Sequence, residues 1–480
     1  RRTARAEAEW RAPGVEGDGD AGPPPGAGSR FALRRVSVAA TAVRFEQSEL
    51  ERGGFVGTRF GQLMGNGDLI VRYARGGRLP STGAFGIWGQ WRDFRAEGSF
   101  TGTRPAVLRA GALFAMEEVR LDSLVRPLGV RVPVRLLAGV RLDRARVAPL
   151  DSTETRLLRG VRTRDFRAVT GSVGLAVEPR PGVTVGATAA RAFRPPAIEE
   201  LYSAGPHLAT YAYEIGNPDL RAERGAGLDL FARVERPRLT GEAALFAMRV
   251  ADFIYQRPLV DAATGLPVRD PRLGRYNVYQ AAQADARLVG AEGRVQLALA
   301  PTRAPGLALE AVASWVRGTR VDPLEGSATA ASGAAGVSGG ADAPLPAMPP
   351  LRGRLALRRE RPRWGASLGV EGALRQGRVP PVPGALSGAA ARATCVPAGR
   401  ATAGGQVEAA LLPAEFCPTP GWLLVDVSLS RRLLVAGRLH ALTLAVDNLL
   451  DTEWRDHLWR AKQVAPQPGR NVRLLYRVTL

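Results

Sequence analysis

The last ten residues, NVRLLYRVTL, place Val472, Leu474, Tyr476, Val478 and Leu480 on one parity and Asn471, Arg473, Leu475, Arg477 and Thr479 on the other. Successive side chains of a strand point to opposite faces, so the segment predicts a strand with one apolar and one mostly polar face. Its length suits a bilayer crossing. The same period recurs upstream. Leu423, Val425, Val427 and Leu429 oppose Asp426, Ser428 and Ser430, and Leu442, Leu444 and Val446 oppose Ala441, Thr443 and Ala445. Leu307, Leu309, Ala311, Ala313 and Trp315 oppose Glu310 and Ser314, while Leu136, Ala138, Val140 and Leu142 oppose Arg135, Gly139, Arg141 and Asp143.

Connections separate a soluble sandwich from a membrane barrel. Short Pro, Gly and Arg turns are predicted at 178–182, 235–238, 301–306, 359–363 and 433–437, and long connections at 195–223, 257–284, 318–349, 377–420 and 451–469. The two kinds alternate strictly. A sandwich has no reason to send every second connection far out, whereas a transmembrane antiparallel β-barrel has tight turns at its periplasmic rim and long loops outside. The expectation is an all-β fold with roughly 17 strands, the last ending in the periplasm.

Composition changes this picture little. The chain of 480 residues carries 66 Lys+Arg against 45 Asp+Glu, a formal charge of +21, and Lys462 is its lone lysine. Nucleic-acid binding would need these cations clustered. They are spread along the chain, often at every second position as the polar half of a strand, so that reading is set aside. No apolar run approaches the ~18 residues of a membrane-spanning helix. The opening RRTARAEAEW lacks an initiator methionine, and an upstream segment is expected. No phosphate loop, His-Glu-x-x-His or nucleophile elbow is present, so an enzyme is not expected.

Two segments resemble the TonB-dependent outer-membrane receptors. ARAFRPPAIEELYSAGPHLATYAYEIGNPDLRAER, 190–224, is similar to their Arg-x-Phe-x-x-Pro segment followed by Gly-Asn-Pro-x-Leu-x-x-Glu; VDNLLDTEWRDHLWRAKQVAPQPGRNVRLLYRVTL, 446–480, is similar to their C-terminal signature. Within that family, GPHLATYAYEIGN, TEWRDHLWRAKQVAPQPGRN and FEQSELERGGFVGTRF most resemble zinc-uptake receptors. The resemblance implies a 22-stranded barrel of which residues 1–480 are an N-terminally truncated portion without the plug domain. It implies active transport energised through TonB, zinc being the favoured cargo, with siderophore or cobalamin as alternatives. A passive porin-like or adhesin barrel is the alternative of another class. The implied partners are the TonB complex, a metal or metal-chelate ligand, outer-membrane lipid and lipopolysaccharide. No resident cofactor is expected. Leu480 stands where the family commonly ends in an aromatic, and the histidine-rich tract of some zinc receptors is missing.

His207, His457 and Glu51, with Glu49 nearby, are the candidate metal ligands, because neutral imidazole and carboxylate oxygen suit zinc; the alternative for the two glutamates is a solvated charge run. The structural alternative for His207 is an exposed loop position with Tyr211 and Tyr213 in the interfacial girdle. His457 has the same alternative, with Trp454 and Trp459 as rim anchors. His440 shares parity with Leu442 and Leu444 and is expected at the membrane interface. Cys395 and Cys417 are a candidate disulfide for an oxidising compartment, or else two unrelated thiols.

Overall fold

A computed structural model of the chain describes residues 2–12, 31–50, 53–98, 102–155, 157–207, 212–259, 268–270, 274, 276–300, 302–321, 343–380, 395, 414–463 and 465–479. In these the strands are β1 (Arg2–Arg11), β2 (Ala32–Leu50), β3 (Val56–Arg75), β4 (Ser81–Glu97), β5 (Ala106–Arg120), β6 (Val134–Pro149) and β7 (Arg164–Arg180). There follow β8 (Val183–Arg194), β9 (Ala204–His207), β10 (Ala212–Ile215), β11 (Glu223–Arg236), β12 (Leu239–Pro258), β13 (Asn277–Ala298) and β14 (Leu307–Val321). The chain ends with β15 (Ala343–Pro344), β16 (Arg352–Glu360), β17 (Trp364–Ala373), β18 (Trp422–Val435), β19 (Arg438–Asp447) and β20 (Asn471–Thr479). Of these twenty strands β9, β10 and β15 are stubs of four residues or fewer, which leaves seventeen long ones. All lie in one sheet, and each long strand pairs antiparallel with its sequence neighbour. Among the described residues β1 pairs only with β2 and β20 only with β19.

The apolar face looks outward. Val140, Leu142, Val169, Val173, Leu228, Leu245, Leu355, Leu429 and Leu442 are all exposed, which is where a barrel wall carries its lipid-facing side chains. His440, in β19, reaches Tyr476 Oη of β20 through Nδ1 near the periplasmic rim. On the inward face, cross-strand glycines let aromatics lie flat on the wall. Phe231 stands directly opposite Gly186, and Phe246 opposite Gly290. A Cβ on those glycines would come within 2.5 Å and 2.3 Å of the rings, so no larger residue fits without displacing the ring.

The short turns lie where the pattern predicts, at 181–182, 237–238, 299–306, 361–363 and 436–437. The strict alternation stops upstream of them. Residues 121–133, on the periplasmic rim between β5 and β6, carry helix α1 (Asp122–Val125) and a 3-10 turn (Arg126–Leu128). Asp122 explains the longer turn: its carboxylate accepts from the backbone N–H of Val134, tying the turn back to β6.

Buried residues gather at the outer rim. Helix α2 (Ile198–Tyr202) folds inward from the β8–β11 connection, and Ile198, Leu201 and Tyr202 are fully buried against Phe94, Ala106, Val147, Phe166 and Ile254. Each such side chain contributes about 2 kcal/mol. Tyr202 Oη donates to the carbonyl of Arg162 at 2.7 Å, so its polar end is satisfied too. The Gly-Asn-Pro segment turns under this helix, with Gly216 and Asn217 donating to the carbonyls of Ser203 and Glu200.

Candidate functional site

The β8–β11 connection is anchored by one arginine. Arg194, at the end of β8, donates through Nε and Nη2 to both oxygens of Glu223, each at 2.7 Å, and through Nη1 to Glu200 at 2.9 and 3.0 Å. Arg194 and Glu223 are direct cross-strand partners. Glu223 also accepts from the backbone of Ile254, and Glu200 from that of Ala197, the residue just before α2. The two ends of the 190–224 segment therefore meet in one planar, bidentate ion pair.

From this anchor β9 and β10 form a hairpin. Ala212 pairs with His207, and β10 lies parallel to the outer end of β13. Its far side touches the β4–β5 connection, where Thr103 bridges to Ser203. The hairpin carries Glu214 to Arg460, which lies in a 3-10 turn (Arg460–Gln463) of the β19–β20 connection. Arg460 Nη1 donates to Glu214 at 2.8 Å, and its Nε lies 3.5 Å from Glu415 of the β17–β18 connection. Tyr279 of β13 donates to Glu415 at 2.9 Å, and the Arg460 guanidinium lies 5.1 Å above the Tyr279 ring. Three outer connections and one strand end thus share a single arginine.

The electrostatics follow from that sharing. Burial pushes the Glu214 carboxyl up, but the His207 hydrogen bond and the Arg460 charge outweigh it and hold Glu214 below the usual carboxylate range. Burial opposes the Arg460 charge as well, and Glu415 and Glu214 more than restore it. His207 Nδ1 lies 3.4 Å from Glu214. That hydrogen bond, helped by the charges of Glu214 and Glu49 and opposed by burial, holds the imidazole above its ordinary value.

His457 sits differently. It is 5 % exposed, and its Nδ1 meets Thr419 Oγ1 at 3.0 Å. Burial, and then the Lys462 ammonium beside it, lower its pKa to about 4. Lys462 donates to the His457 carbonyl at 2.9 Å and is itself lowered by burial to about 8. Cys417 is joined to Cys395 by a disulfide, and Gln463 Nε2 donates to its sulfur at 3.2 Å. The β17–β18 and β19–β20 connections are thereby packed together.

Neutral, buried His457 makes this packing sensitive to acid. An imidazole with a folded value near 4 and an unfolded value near 6.5 takes up a proton in the loosened state first, so stability falls as pH falls through that window. The loss reaches about 3 kcal/mol near pH 4. We expect amide exchange in 448–463 to accelerate between pH 6.5 and 4, and His457→Gln to flatten that dependence.

The candidate ligands fall in separate environments. His207 lies with Glu214 and Glu49, His457 lies in the Thr419–Lys462 packing, and Glu51 and Tyr211 lie outside the described residues. Among the described residues no three of His, Cys, Asp and Glu are grouped closely enough to hold a metal ion. Arg460, Glu415 and Tyr279 were not singled out by sequence. The one signal for Arg460 and Glu415 is that RDHLWRAKQ and PAEF carry charged residues inside long connections; Tyr279 has none.

Comparison with known proteins gives the same architecture. The chain covers 98 % of its own length on the copper transporter OprC, with 18 % identity, a TM-score of 0.64 and 63 % of that protein's length. For the FrpB iron transporter from Neisseria meningitidis (F5-1 variant) the values are 92 %, 14 %, 0.58 and 60 %. For the ferric citrate transporter FecA in its unliganded form they are 94 %, 12 %, 0.56 and 59 %. The chain thus spans about three fifths of these structures. A family model described as TonB dependent receptor-like, beta-barrel, matches residues 17–449. That match covers most of the chain, so this protein belongs to the TonB-dependent receptor-like β-barrels of the Gram-negative outer membrane.

Proposed function

We propose that the chain is the barrel portion of an outer-membrane receptor that takes up a metal ion or metal complex with energy delivered through TonB, a plug domain preceding it in the intact protein. The observation that carries this reading is the convergence of three outer connections on Arg460, which ties them into one charged, partly desolvated cluster at the rim. Outer connections held in one arrangement can present fixed polar groups to a cargo, and a passive pore has no use for that order. The names of the copper, iron and ferric citrate transporters agree in cargo class.

Within that class zinc is the favoured cargo. Support comes from the zinc-receptor-like segments and from His207 at the outer rim, whose Nδ1 lies 3.4 Å from Glu214 and which also feels the charge of Glu49. Zinc binds neutral imidazole, so it must displace the proton that these carboxylates hold on His207. Affinity should accordingly rise with pH. We expect His207→Ala in the complete gene product to weaken zinc-limited growth and zinc uptake, by roughly tenfold in apparent affinity. Unchanged growth at normal expression would remove the hairpin from the metal path.

A further inference from the structure

The wall between β7 and β8 is not continuous. The two strands pair outward only as far as Gly171 opposite Arg191, although β7 begins at Arg164 and β8 runs on to Arg194. Each keeps its other neighbour over that stretch, β7 pairing with β6 as far as Arg164 and β8 with β11 as far as Arg194. Two strand edges therefore face each other without backbone pairing. Farther out, Arg164 donates through Nη2 to the carbonyl of Leu220 at 2.9 Å, which ties β7 to the connection that leaves β8. The opening is thus bounded at both ends, as a window in the wall.

A cavity lies on either side of this window. The inner one, of about 450 Å³, is lined by Trp88, Gln90, Leu108, Arg141 and Pro195. Trp88 and Gln90 share parity with buried Phe94, Leu108 with buried Ala106 and Arg141 with buried Val147, so these four face inward. The outer one, of about 870 Å³, is lined by lipid-facing Leu142 and Val169 together with Arg167 and Arg191. Asp143, Thr170, Ala192 and Phe193 border both cavities. Asp143 is held to Arg141 at 2.8 Å, and Thr170 and Ala192 are small, so the bulky side chain between the two spaces is Phe193.

We propose that the window serves an amphiphilic cargo, an anionic metal chelate bearing one hydrocarbon chain, whose head lies in the lumen by Gln90 and Arg141 while its chain passes Thr170 and Ala192 to rest outside on Leu142 and Val169. The inference rests on the uptake reading above and specifies its metal complex. The two sides of the window differ in polarity as such a molecule requires. A chain dragged with its head into a polar lumen forfeits its burial methylene by methylene, and a gap in the wall lets it stay in apolar surroundings. The sign of the head follows from the charges at the border. Asp143 and Asp252 are each held by arginine, whereas Arg167 and Arg191 have no ion-pair or hydrogen-bond partner among the described residues, so an anion is drawn in and a cation repelled. Phe193, bordering both cavities, is the gate.

The test uses the complete gene product in lipid nanodiscs and the anionic zinc complexes of two nitrilotriacetates, one carrying a dodecyl chain and the other a methyl group, each with a photoreactive diazirine beside the head. The dodecyl probe is expected to label Trp88 or Leu108 of the inner cavity roughly tenfold more than the methyl probe does. Moving the diazirine to the chain end should shift the label to Leu142 or Val169. Ala192→Trp fills the window and should cut the inner label roughly tenfold. Label confined to outward-facing residues, equal inner label from the methyl probe, or an unchanged Ala192→Trp variant would each overturn the proposal. The comparison of probes needs no substitution, so it decides the matter even if the variant does not assemble. Labelling requires neither TonB nor transport, so its failure is distinct from a failure of the uptake reading, which shows in metal accumulation.

Discussion

Arg460→Ala is expected to open the outer rim. The side chain is the shared cation of Glu214 and Glu415, and its plane rests on Tyr279. Glu415 is 8 % exposed, so it cannot turn to water for compensation. Removing one partner from such a buried set costs about 3–5 kcal/mol, most of it the penalty of the charge left behind. The barrel wall does not depend on this residue, because its strands are held by backbone pairing. The cost should therefore appear as loosening of the β17–β18 and β19–β20 connections against the β9–β10 hairpin. Proteolysis of intact cells should cut these connections much faster in the variant, while the barrel keeps its folded mobility on unheated gels. Arg460→Lys should restore only part of the protection, since an ammonium cannot span both carboxylates and stack on Tyr279. A protease pattern identical to the parent would show that the rim is held by other contacts.

Arg194→Ala should produce the second large effect, this time within the wall. Arg194 binds Glu223 through two parallel hydrogen bonds and holds Glu200, which in turn caps the start of α2. The Glu223 side chain is 12 % exposed and the Glu200 side chain 21 %. Loss of the guanidinium leaves both carboxylates facing one another at the point where β8 leaves the sheet. A loss of about 3 kcal/mol is expected, with α2 and its buried Ile198, Leu201 and Tyr202 the first structure to detach. Tryptic cleavage after Arg221 or Arg224 and a lower temperature of heat modification would report it. Arg194→Lys should behave almost as badly, because one ammonium cannot reproduce the two-pronged contact. Wild-type heat resistance in Arg194→Ala would assign the anchor to backbone pairing alone.

The wall was legible in the sequence because a strand's side chains alternate with period two and lipid on one face enforces the pattern. Val140 and Leu142, or Leu442 and Leu444, announce their face before any pairing is known. The same logic placed His440 at the interface. The turn at 121–133 was not legible, since Asp122 shapes it through a contact with Val134 that local pattern does not contain. Nor was the site. Arg460 meets Glu214 across 246 positions and Glu415 across 45, and Tyr279 arrives from a strand end between them. Only the folding of the outer connections over the sheet brings such residues together. The two segments 190–224 and 446–480 pointed to the right loops, yet not to the arginines that tie them. His457 resembled an exposed rim histidine because RDHLWR places charges on both sides of it; it is buried because Thr419 and Lys462 pack over it.

The proposed function is active, selective uptake through this barrel. The most direct test compares metal accumulation by cells making the complete gene product, with and without a working TonB. Uptake that saturates at low external metal and disappears without TonB is the predicted result. Uptake that rises linearly with external metal, and is the same in both strains, would contradict it and mark the barrel as a passive channel.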